Sequence, residues 1–213
     1  MANIMGIYEK YYIPEQLQLH MLRVAACSKL ITDNWEGKEI DKEAIIRVSL
    51  LHDMGNIIKI PEADLENEKT IELRRKCIEK YGEYEHYTNM AIGKEEGLTE
   101  KELSILDGKR SRKNEETYQS DNFEIKICTY CDQRVAPDGV RGIKERLEEV
   151  RTRYKNKPNS VWSNEEMANH LIQCALGIEK QLMEFCSLRP EDINDNSIQE
   201  NIEKLKKYEI KKY

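Results

Sequence analysis

Between Pro14 and Thr32 the apolar residues Leu17, Val24, Cys27 and Ile31 return at helical steps, and His20 falls on the same stripe. Such a period commits a segment to an amphipathic helix with one face turned to a core. It recurs in Ile125, Cys128 and Val135, and again in Met167, Leu171, Cys174, Ile178 and Leu182. Strand signals are sparse, since aromatic residues make up only 7% of the chain and 35% is charged. The expected fold is all-α, a helical bundle. A length of 213 residues suits one domain over 1–188, followed by a charged C-terminal tail over 189–213.

Local signals place the helix ends. Asp41 is an N-cap for a second helix, which Gly55 is expected to stop in a left-handed conformation. A charged helix ends at Gly82, a shorter one follows over "EYEHYTNMAIGKEEG", and Thr99 with Glu102 forms a capping box. The polar stretch 107–122, "DGKRSRKNEETYQSDN", reads as a mobile, solvated loop; a lid whose Lys109, Arg110, Arg112 and Lys113 cover a phosphate is the alternative. "FEIKICTYCDQRV" is helical, a further helix runs to Tyr154, and "NKPNS" is a loop. Ser163 and Glu166 cap the last long helix, and Ile198, Ile202 and Leu205 give the tail one weakly docking face.

The net charge of −6 supplies no global attraction for nucleic acid or an anionic membrane. An anionic substrate would need local positive charge or a metal. The chain has no apolar run of membrane-spanning length and its N-terminus has no leader pattern, so a cytoplasmic protein without a membrane partner is expected. The six cysteines lie scattered through helical patterns. Even Cys128 and Cys131, a lone CxxC, read as core residues rather than a zinc or redox pair.

Three apolar stripes are interrupted by polar groups: His20 in the first, His52 and Asp53 in the second, Asp132 in the third. Burying such a group without a partner costs about 1–3 kcal/mol, and more when it is charged. Alone, His20 would read as a core histidine and Asp132 as an acceptor between helices. Together, two imidazoles and two carboxylates have a common solution if the helices converge on one divalent cation. Neighbouring helical residues point about 100° apart, so His52 and Asp53 can share an ion only where the helix ends.

The order His20, His52-Asp53 with a glycine two residues on, then Asp132, resembles the H…HD…D signature of the HD-domain superfamily of metal-dependent phosphohydrolases. "HMLRVAACSKL", "HYTNMAIGKEEGL" and "CDQRVAPDGVRGIKERLEEVRTRY" are similar too, so the likeness spans about 14–186. The resemblance implies an α-helical bundle in which His20, His52, Asp53 and Asp132 bind a divalent ion (Mn, Fe, Co, Ni, Mg or Zn). It implies hydrolysis of a phosphate ester or anhydride in a small phosphorylated metabolite, in the first place a nucleotide. Asp53 and His86 are then the catalytic residues, with His86 a helper, general acid or phosphate contact. One ion is expected rather than two, because no histidine lies between His86 and His170 and only Asp107 offers another ligand. Asn56 stands where many members have lysine, with Lys59 the nearest replacement.

Arg23, three residues after His20, and Arg134, two after Asp132, are candidates for gripping phosphate; salt bridges to carboxylates are the alternative. Glu83 and Glu85 read as a solvated face, and His170 as structural or exposed. A non-catalytic, metal-stabilised nucleotide sensor remains the rival to the enzyme. Nucleic-acid binding along the basic run 141–157 is a weaker third reading, diluted by Glu145, Glu148 and Glu149.

Overall fold

The computed structural model describes residues 2–65, 67–157 and 160–211. In chain order these form β1 (Ala2–Asn3), α1 (Ile4–Lys10), α2 (Glu15–Asp33), α3 (Lys42–Leu51), α4 (Glu68–Tyr81), α5 (Glu85–Glu95), α6 (Glu100–Gly108), α7 (Asn114–Gln119) and α8 (Phe123–Arg134). A small antiparallel hairpin, β2 (Val135–Ala136) and β3 (Gly139–Val140), leads to α9 (Ile143–Tyr154), α10 (Glu165–Met183), α11 (Asp195–Leu205) and β4 (Glu209–Ile210). The fold is all-α, a single-domain bundle. No helix among the described residues is long and apolar enough to cross a membrane.

Helix α2 lies at the centre, packed against α3, α8 and α11, while α3 also meets α6 and α8. Its buried face carries Met21, Val24, Ala25, Cys27 and Ile31. The expected caps are in place: Asp41 accepts from the Ala44 amide, and Thr99 and Glu102 make a reciprocal capping box. Gly82 ends α4 at a φ of 84°, a conformation that only glycine adopts freely. All six cysteines are buried free thiols, and burial pushes Cys128 up to about 12, as expected of core residues rather than a reactive pair.

Several expectations are corrected. α3 ends at Leu51 and passes into a 3-10 helix, Met54–Lys59, so Gly55 is not a left-handed stop. A glycine is needed there because α5 approaches closely: a Cβ would lie 2.6 Å from the Asn89 nitrogen and 2.7 Å from Thr88 Cβ. The polar stretch 107–122 is not a loop but the end of α6, a 3-10 turn at Ser111–Lys113, and α7, with Asn114 and Thr117 buried. Asn164, not Ser163, caps α10. The stripe of α10 starts at Ala168, leaving Met167 exposed. In "NKPNS", Pro158 and Asn159 lie outside the described residues.

The largest correction concerns the C-terminal segment, which is not a weakly docked tail. Ile193, Ile198, Ile202, Leu205 and Ile210 are all buried in the same core as α2, and β4 pairs antiparallel with β1. Arg134 fastens this segment. Its guanidinium donates to the carbonyls of Arg141, Pro190 and Ile193 and to the Tyr130 hydroxyl.

Candidate metal centre

Three elements bring the four candidate ligands together. His20 comes from the early turns of α2, Asp132 from the last turn of α8, and His52 and Asp53 from the break between α3 and the following 3-10 helix. At that break the backbone leaves α-geometry, with Asp53 at φ −120°, ψ 17°, so two adjacent side chains lean the same way.

The four ligand atoms all lie within 4.8 Å of one another. His20 Nε2 lies 3.3 Å from His52 Nε2, 3.2 Å from Asp132 Oδ1 and 3.6 Å from Asp53 Oδ2. His52 Nε2 lies 3.4 Å from Asp132 Oδ1 and 3.6 Å from Asp53 Oδ2. A tetrahedral cation bound at about 2.0–2.2 Å holds its ligand atoms roughly 3.3–3.6 Å apart, close to these five separations. The tautomer of His52 agrees. Its Nδ1 is 2.7 Å from the Ser49 carbonyl, which can only accept, so the ring proton sits there and Nε2 presents a lone pair to the cluster. Two ring nitrogens and two carboxylates facing one another need something positive between them. The four residues therefore form a group able to hold a metal ion.

One positive group is already present. Lys109, the residue after α6, is buried, and its Nζ lies 2.6 Å from Asp132 Oδ2. Burial works against every charge here and is outweighed. Asp132 is held well below the usual carboxylate range by Lys109 and His52, and Asp53 is lowered by His52 and Lys109. Lys109 itself is raised by Asp132 and Asp53.

On α5, His86 Nε2 lies 2.8 Å from Asp107 Oδ1 of α6. Asp107 is also held by Lys113 at 2.6 Å and Arg110 at 2.9 Å, which keep its carboxyl low against the effect of burial. An ionised carboxylate only accepts, so the His86 proton sits on Nε2, and burial with the nearby Arg110 pushes this ring's pKa down. A neutral ring whose N–H is committed to Asp107 is unsuited to contacting phosphate, one of the roles expected for it.

The other candidates do not gather at the cage. Arg134 is not a phosphate grip: two residues after Asp132 is about 200° around the helix, and its nitrogens serve the C-terminal segment. Arg23 donates to the Pro137 carbonyl and pairs loosely with Asp195, matching the salt-bridge alternative. Lys59 pairs with Glu85 at 2.9 Å, and half-exposed His170 with Glu115. The expected lid is instead part of the wall, with Arg112 stacked over Tyr84. The sequence places Lys109 among four cations of a possible lid and does not single it out, because nothing in a uniformly polar stretch marks which cation turns inward. Its one signal is position, directly after a capped helix.

A groove of about 520 Å³ opens at Asp107 between α5 and α6, lined by Tyr87, Met90, Leu103 and Ser104. Comparison with known proteins adds nothing to this geometry: no family model matches the chain, and no match is found among curated proteins or solved structures.

Proposed function

We propose that the protein is a cytoplasmic, metal-dependent phosphohydrolase of HD-domain type, cleaving a phosphate ester or anhydride in a small phosphorylated metabolite, in the first place a nucleotide. The observation that carries this reading is the convergence of His20, His52, Asp53 and Asp132, whose ligand atoms all lie within 4.8 Å of one another. The donor set of two imidazole nitrogens and two carboxylate oxygens fits Mn, Fe, Co, Ni, Mg or Zn. A bound ion at such a site polarises a phosphoryl oxygen and lowers the pKa of a water so that hydroxide is available near neutral pH.

The residues of the chain do the rest. Asp53 and Asp132 stay ionised across the neutral range, and His52 is fixed by Ser49 in the tautomer that leaves Nε2 free. His86, oriented by Asp107, offers Nδ1 as a proton acceptor. The groove at Asp107, with Tyr87 62% exposed at its edge, gives a stacking face for the base of a nucleotide. One ion is favoured, because Asp107 is already tied to His86, Arg110 and Lys113, which leaves only one ring nitrogen of His86 for a second ion. A polyanion is a poor substrate, since Arg141, Arg146, Arg151 and Arg153 are each engaged by a carboxylate.

Protein loaded with Mn, Co, Ni or Mg in turn should release phosphate from a nucleotide or a generic aryl phosphate, and His52→Ala and Asp53→Ala should abolish this. Activity that persists in either variant rejects the assignment. Tight nucleotide binding without turnover across a broad panel would instead support the metal-stabilised sensor.

A further inference from the structure

Lys109 is a costly residue to bury, and one carboxylate oxygen does not account for it. Its side chain is 9% exposed, and an ammonium carries three N–H bonds that need acceptors. Among the described residues one hydrogen bond is made, to Asp132 Oδ2. That oxygen is the outer one of a carboxylate whose Oδ1 faces His20 and His52. The ammonium therefore stands at the wall of the cage with donors to spare.

Charge leads the same way. Asp53 and Asp132 contribute two negative charges, a divalent ion would cancel both, and Lys109 leaves the centre with one positive charge over. A cage meant only to be neutralised would not need it. We propose that Lys109 is the fixed second cation of this centre, holding the outer oxygen of Asp132 and presenting its remaining N–H bonds to a terminal phosphoryl oxygen of the substrate. This rests on the phosphohydrolase reading and narrows it to substrates with a terminal, doubly charged phosphoryl group, a phosphomonoester or the end of a phosphate chain. A phosphodiester, with one charge on its phosphorus, gains less from an ammonium in that place. The position of Lys109 is secured from both sides. Two residues earlier, Asp107 is tied to His86, Arg110 and Lys113, and Gly108 packs so closely on Ile125 that a Cβ there would lie 2.7 Å from its Cδ1.

The test separates ion binding from phosphate binding, without turnover. Wild type, Lys109→Met and Lys109→Arg are titrated with Mn2+ and then, once loaded, with inorganic phosphate, by calorimetry. Wild type and Lys109→Met should each take one Mn2+ per chain, the variant at least as tightly, because a positive neighbour of Asp132 has gone. Phosphate affinity should fall by about tenfold or more in Lys109→Met and recover in part in Lys109→Arg. Phosphate binding to Lys109→Met within about twofold of wild type overturns the proposal, as does loss of Mn2+ binding in a folded Lys109→Met, which would make the lysine an organiser of the ligands. If Lys109→Met does not fold, reductive methylation of wild type decides. Phosphate together with Mn2+ should protect Lys109 where Mn2+ alone does not, and equal labelling overturns the idea. Wild type that binds neither probe sinks the phosphohydrolase reading as a whole, whereas wild type that binds both while the variant matches it overturns only the role of Lys109.

Discussion

Two ionic centres lie within the fold, and only one of them is balanced in charge. Arg47 Nε meets Glu102 Oε1 at 2.8 Å and its other end donates to the Gly97 carbonyl, while Glu102 Oε2 accepts from the backbone and hydroxyl of Thr99. One cation answers one anion, and the carboxylate doubles as half of a capping box. At the cage, two carboxylates and two inward ring nitrogens face a single ammonium. A balanced pair holds a fold together, and an unbalanced one asks for something from outside. Both draw charge inside the fold, so enclosing charge does not distinguish a site; the mismatch in charge does.

Breaking the closed pair should give the largest effect. Arg47 and Glu102 are 1% and 4% exposed, so Arg47→Ala strands a buried carboxylate and should cost about 3–5 kcal/mol in denaturant unfolding, with or without Mn2+. Replacing both partners by apolar residues, Arg47→Met with Glu102→Leu, should recover much of that loss. A cost for Arg47→Ala that disappears on adding Mn2+ would mean that the two centres are one, and the contrast would fail.

The open centre should respond to what the closed one ignores. Free Mn2+ at about a hundred times its Kd should raise the stability of wild type by about 2.7 kcal/mol, read as a rise in melting temperature. His52→Ala should show none of this rise, while Arg47→Ala keeps it in full on a lower baseline. Wild type that gains nothing from any of the candidate ions would remove the reason for calling the cage a metal centre.

This contrast also explains how far the residues could be read in advance. The four ligands were legible because each breaks an apolar stripe, a signal that survives without knowing how the helices cross. Caps such as Asp41 and Thr99 were legible because they act within one turn. What depends on direction around a helix was not. Arg134, two positions from Asp132, turns to the far face and ties down the C-terminal segment, and that docking is equally invisible in a run of charges with scattered apolar residues. Lys109 and α7 were hidden for the opposite reason. Their stretch has no apolar period: Lys109 is held by its ion pair with Asp132, and α7 by the buried Asn114, which bonds Gln133 and the Leu171 carbonyl.

The smallest expected effect concerns the His86–Asp107 pair, which lies between the two types. Asp107 has more cations around it than it needs, and burial together with Arg110 lowers the pKa of His86, so the folded chain prefers the neutral ring. The unfolded ring titrates near about 6.5. Between the two values the folded chain binds fewer protons than the unfolded one, so the stability that His86 contributes is present above about pH 6.5 and is lost as pH falls through the folded value. Urea unfolding in the presence of chelator, compared at about pH 7.5 and about pH 5, should therefore show wild type losing more stability than His86→Gln. Both proteins keep every other titratable group, so the difference isolates this ring. A larger loss in the variant would mean that Asp107 draws a proton onto His86 despite Arg110, turning the ring from a proton acceptor into a fixed cation and its role from base to acid.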